Sequence, residues 1–132
     1  MNEKNKNGET ALHIAARNNS EETAEVLVSH GANMNEKDED GGTALHIAAQ
    51  NSYKEIAEIL VSHGANINEK TKDGKTALYY AAWDNCEKIA EILISHGANI
   101  NEKNNDGETA LYIAKLLSHT KVEKVLISHG AK

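Results

Sequence analysis

Four histidines recur through the chain, His30, His63, His96 and His129, each inside the tetrapeptide Ser-His-Gly-Ala. Imidazole nitrogens in series could hold a transition metal, provided they converge on one ion. The spacing argues against it. If each histidine marks the same point of a stacked helical unit, neighbours stand about 8–10 Å apart, too far to share an ion. Each also precedes a glycine, which places it at a helix C-terminus, where the ring can bond the last carbonyls. Cys86 falls near the start of a predicted helix, which favours a thiolate, but Glu87 opposes it and no histidine is placed as its base. No phosphate loop, nucleophile elbow or zinc-protease helix is present. The Asp-Gly turns lack the dense oxygen ligands of a calcium loop. We expect no catalysis, no metal and no cofactor.

A different chemistry, non-covalent recognition, is suggested by "GKTALYYAAWDN" at 74–85. Its sisters read "GETALHIAARNN" at 8–19 and "GGTALHIAAQNS" at 41–52. The third copy replaces His-Ile with Tyr79-Tyr80 and puts the chain's only tryptophan, Trp83, where the others carry Arg17 and Gln50. Tyr80 and Trp83 are three apart and share a helical face. Aromatic anchors inside a polar rim are what binding hot spots look like. Tyr79 reads better as packing.

The elements that position these residues repeat. "NEK" starts at 2, 35, 68 and 101, "TAL" at 10, 43, 76 and 109, and "SHGA" at 29, 62, 95 and 128, so the period is 33 residues. The units are 2–34, 35–67, 68–100 and 101–132, one domain over 1–132. In each, an Asp-Gly or Asn-Gly turn leads to a threonine suited to cap a short helix. A polar break follows. We expect Ser52 and Glu55 to form a capping box for the second helix, whose apolar stripe includes Ile56, Ala57, Ile59, Leu60 and Val61. Gly64 stops it, and "ANINEK" runs on as a loop. No such unit buries its apolar face alone, so the units must stack. The fourth carries Glu123 and Lys115 where the others carry alanines (Ala24, Ala57, Ala90 and Ala16, Ala49, Ala82). Charge on a face that would receive a further unit reads as a C-terminal cap.

"DEDGGTALHIAA" (38–49), "TALYYAA" (76–82), "IAEILVSHGANIN" (56–68) and "HGANIN" (96–101) resemble the ankyrin repeat over the whole chain. One departure is systematic: the proline that follows the threonine in that family is alanine here, at Ala11, Ala44, Ala77 and Ala110. Its loss loosens each unit by about 0.4–1 kcal/mol through a freer unfolded chain. The resemblance implies an all-α solenoid of helix-turn-helix units joined by β-turn or hairpin loops. It implies a protein-binding module whose concave face is lined by turn tips and first helices. Carried onto this chain, those positions include Glu39 and Asp40, then Lys72, Asp73 and Lys75 at the tips. On the helices they are Arg17, Gln50 and Asn51, Trp83 and Asp84, and Leu116. We expect Ile113 and Leu116 to extend the aromatic face as an apolar patch. Lys70 and Lys103, in a ladder with Lys4 and Lys37 beside glutamates, either form a solvated stripe or line the groove mouth. The other reading of the whole chain is a passive spacer in a longer protein.

The composition narrows the partners. A net charge of −6 does not suit phosphate neutralisation, so no nucleic-acid partner is expected. A single cysteine suits a reducing compartment. The N-terminal stretch has no apolar signal region, and the longest apolar run, 77–83, is too short to cross a bilayer. We expect a soluble, cytoplasmic monomer without membrane contact.

Overall fold

The computed structural model describes residues 1–132 and contains eight helices and no strands. A short and a longer helix alternate: α1 (Ala11–Arg17), α2 (Glu21–Ser29), α3 (Ala44–Gln50), α4 (Lys54–Ser62), α5 (Ala77–Trp83), α6 (Glu87–Ser95), α7 (Ala110–Leu116) and α8 (Thr120–Ser128). The short helices stack on one another as one layer and the longer ones as a second. A core of 27 buried residues runs through all four units, with Leu12, Leu45, Leu78 and Leu111 at equivalent points. Ile59, placed by sequence in the core stripe, is only half-buried against it.

Each short helix starts as the sequence predicts. Thr10, Thr43, Thr76 and Thr109 lie in extended backbone, and their hydroxyls accept the N–H three residues on at 3.1–3.5 Å. In the first two repeats the bond is reciprocated. The Thr10 and Thr43 N–H groups donate to Nδ1 of His13 and His46 at 3.0 Å. A tyrosine at this position has no ring acceptor, so the caps of α5 and α7 close on one side only.

The second helices begin differently from expectation. Ser52 is not an N-cap: it has φ +58°, as do its equivalents Asn19, Asn85 and Ser118 at +54° to +58°. An N-cap needs extended backbone, but Ser52 must reverse the chain after α3. Tyr53 takes the cap position and makes no side-chain cap bond. The far ends behave as read. Nδ1 of His30, His63, His96 and His129 donates to the carbonyls of Val26, Ile59, Ile92 and Val125 at 2.7–2.8 Å. Gly64, at φ +92°, follows directly.

Three ladders tie the repeats together outside the core. Backbone N–H groups of Glu39, Lys72 and Asn105 donate to carbonyls of Asn7, Asp40 and Asp73 in the preceding turn. Side-chain oxygens of Asn2, Asn35, Asn68 and Asn101 accept the backbone N–H 31 residues on, at 2.7–3.0 Å. Lys4, Lys37 and Lys70 donate to the carbonyls of Lys37, Lys70 and Lys103 and pair with Glu36, Glu69 and Glu102 at 3.4–3.6 Å. The lysines therefore reach the glutamate of the next repeat, not the one beside them in sequence.

The ends of the stack show which side each position faces. Ile14 is 38 % exposed, whereas Ile113, its equivalent in the fourth repeat, is 2 % exposed. That position is covered by the preceding repeat. The His13 position is the reverse: His13 is buried and Tyr112 exposed, so the following repeat covers it.

This geometry makes His46 sensitive to acid. Thr43 N–H occupies Nδ1, and Nε2 donates to the carbonyls of Glu69 and Lys75 at 2.9 and 3.1 Å. The ring is held neutral, and a second proton would meet the Thr43 N–H. Burial pushes the His46 pKa below 6.5, against the opposing pull of those carbonyls. The unfolded chain therefore binds the proton first, so stability is full above about pH 6.5 and declines as pH falls below it. From about pH 7.5 to about pH 5.5, urea midpoints should drop, and His46→Gln should remove up to about 1.4 kcal/mol per pH unit of that slope. An identical slope in the variant would assign the acid sensitivity to other groups.

Candidate functional site

Six of the candidate recognition residues named from sequence converge. Gln50 from α3, Asp73 and Lys75 from the third turn, and Tyr80, Trp83 and Asp84 from α5 and its end line one cleft of about 460 Å³, together with Tyr79. The residue types follow from the repeat frame. The Trp83 position is exposed in every unit, as Arg17, Gln50, Trp83 and Leu116, so it can vary without cost to the core. Lys75 follows the turn glycine Gly74, and Asp84 is the C-cap of α5.

The rings are layered. Trp83 is 49 % exposed and stacks on Tyr79 with centroids 6.4 Å apart and planes 23° from parallel. Tyr79 is buried, as its packing reading requires, yet it is one of the residues that line the cleft. Tyr80 meets Tyr79 edge-on at 6.0 Å and His46 edge-on at the same distance. The Lys75 ammonium lies 5.4 Å from the centre of the Tyr79 ring, within cation–π range. The Tyr79 hydroxyl donates to Glu108 Oε1 at 3.4 Å. Burial, then the Glu108 charge, push its pKa up to about 12. Burial also raises Tyr80, with the charges of Asp73, Asp40 and Asp38 adding to it. The Asp84 carboxyl is raised by desolvation, which the His119 charge opposes.

Other sequence-named positions lie elsewhere. The Arg17 guanidinium pairs with the Glu9 carboxylate in the first repeat. Asn51 caps α3 and donates its amide to the Ile47 carbonyl. Glu39, Asp40 and Lys72 belong to the ladder of stacked turns, and Lys70 and Lys103 to the lysine ladder. Leu116 is exposed on α7, the neighbour of α5. The expected patch is corrected at one residue: Ile113 is buried beneath the preceding repeat, leaving Trp83, Tyr112, Leu116 and Leu117 as the exposed large apolar and aromatic side chains at this end of the short-helix layer. The asparagine ladder went unread, although "NEK" recurs in phase. Its partners lie 31 residues away, and nothing local marks them.

The cleft offers a stacking surface, two carboxylates, an amide and an ammonium. No group of three or more His, Cys, Asp or Glu converges to hold a metal ion. No helix is long and apolar enough to cross a membrane. Paired helices stacked in register, with variable side chains on one layer and a constant core behind them, define a helical-repeat solenoid. A family model described as "Ankyrin repeats (3 copies)" matches residues 1–71, 31–104 and 66–132. The chain belongs to the ankyrin-repeat family, whose members are generally protein-interaction modules and typically non-catalytic. Among curated proteins none matches it.

Proposed function

We propose that this chain is a non-catalytic docking module that binds a protein through its short-helix layer and turn tips, with the anchor in the cleft of the second and third repeats rather than at the third and fourth. The convergence of Trp83, Tyr80, Asp73, Lys75, Asp84 and Gln50 on one cleft carries this reading. Trp83 is half-exposed and stacks on Tyr79, so it presents apolar area already held against a neighbouring ring, which lowers the ordering cost of binding. The repeats behind it are cross-tied by turn, asparagine and lysine ladders, which suits rigid docking. A reducing compartment such as the cytoplasm suits the free Cys86. The ladders would equally serve a spacer, and the experiment separates the two.

The test is affinity capture from cell lysate with wild type, Trp83→Ala and, as a control on the outer layer, Val26→Ala. A protein held by wild type and Val26→Ala should be weakened about 30-fold or more by Trp83→Ala, as for an interface hot spot, with unchanged circular dichroism. Equal retention by all three moves the site away from the cleft. No specific capture favours the spacer.

A further inference from the structure

We propose that the anchor this cleft receives is an arginine side chain of the partner protein, stacked on Trp83 and held by Asp73 and Asp84. The inference rests on the docking reading above and adds the chemistry of what docks.

Charge complementarity points to a cation. Asp73 and Asp84 line the cleft; neither forms an ion pair within 4.0 Å, and the one internal charge that acts on Asp84, His119, lies outside the lining. The single cation in the lining, Lys75, lies over the Tyr79 ring and pairs with neither carboxylate within 4.0 Å. Asp40 and Asp38, in the preceding turn, add to the negative field that reaches Tyr80. A net charge of −6 would steer a basic segment toward this surface. The aromatic side of the cleft agrees. An indole is the ring that best attracts a cation over its face, and half of Trp83 remains exposed.

The shape of the donors selects guanidinium over ammonium. Guanidinium is planar and can lie flat on the indole while its edge donors fork toward separate acceptors. Here those acceptors are the Asp73 and Asp84 carboxylates and the Gln50 amide oxygen, all in one lining. An ammonium is a hydrated point charge that gains less from a flat ring and cannot donate in a plane.

The chain's only tryptophan is in the cleft, so one indole N–H signal in a proton–nitrogen NMR spectrum reports on this site alone. The probes are acetylated, amidated pentapeptides with a central arginine, citrulline, lysine or glutamate between glycines. Arginine should shift the indole signal saturably, and citrulline, its uncharged near-isostere, should bind at least about tenfold more weakly. Lysine should fall between them and glutamate should not bind. The double variant Asp73→Asn, Asp84→Asn should weaken the arginine peptide about tenfold or more. Both carboxylates are exposed, so the fold is retained. Equal binding of arginine and citrulline, equal binding of arginine and lysine, or no saturable shift with arginine up to about 10 mM would each overturn the inference. If Trp83→Ala still loses the captured protein in those cases, docking at the cleft stands and only the arginine assignment falls.

Discussion

Ala82→Lys is expected to detach the fourth repeat from the stack. Ala82 has 0 % exposure, and its carbonyl accepts a hydrogen bond from His119 of the next repeat at 2.8 Å. Lysine already occupies this position once, as Lys115, where it is exposed. The chain thus contains its own control. At residue 82 the four methylenes and the ammonium would enter a space that α7 and α8 now fill against α5. Overpacking costs about 1–3 kcal/mol and burying an unpaired ion several more, so a loss of about 4 kcal/mol or more is expected. A domain of this size has a total stability of about 5–15 kcal/mol. Because repeats couple mainly to their neighbours, the loss should appear as a separate early transition of the C-terminal unit in urea. Lys115→Ala should stay within about 0.5 kcal/mol of wild type. A single unshifted transition for Ala82→Lys would mean that the 82 face opens freely to solvent.

Gly41→Ala and Gly107→Ala make a second matched pair. Both glycines hold the same turn position, at φ +79° and +77°, and alanine at either costs about 1–2 kcal/mol for the left-handed backbone. They differ in what lies beyond. A Cβ on Gly41 would sit 2.8 Å from the Lys72 backbone nitrogen and 3.2 Å from Thr71, whereas one on Gly107 meets nothing within 4 Å. Relief at Gly41 requires the third turn to move away, which strains the Lys72 N–H bond to the Asp40 carbonyl. An added loss of about 2 kcal/mol is expected, from overpacking and a weakened backbone bond. The observable is the difference between the two variants in urea denaturation, since the strain common to both cancels. Equal losses would show that the turns do not depend on close stacking.

These pairs mark where sequence reading succeeds and where it stops. The threonine caps, the histidines at helix ends and the stop glycines were legible because each involves groups within four residues on a known helical period. Ser52 was misread because a serine three residues before a glutamate resembles a capping box, while the chain needs that residue to reverse direction. Ile113 was misread because its helix position is exposed or covered according to which neighbour is present. Lys37 was read beside Glu36, but its ammonium pairs with Glu69, since adjacent residues diverge while stacking brings the next repeat close.

The 33-residue period, the helix pair in each unit and the need to stack were determined by the sequence alone, because hydrophobic spacing and local hydrogen bonds act within one repeat. The sequence alone also singles out Trp83 and Tyr80 as candidates for recognition, since they break a pattern that the chain itself supplies. Only the tertiary structure decided that Asp73, Lys75, Gln50 and Tyr79 join them in one cleft. It also decided that Ile113 is withdrawn from the surface and that the lysines bridge repeats. These outcomes depend on the offset between stacked units, a distance set by packed side chains of two repeats at once, which no single repeat encodes.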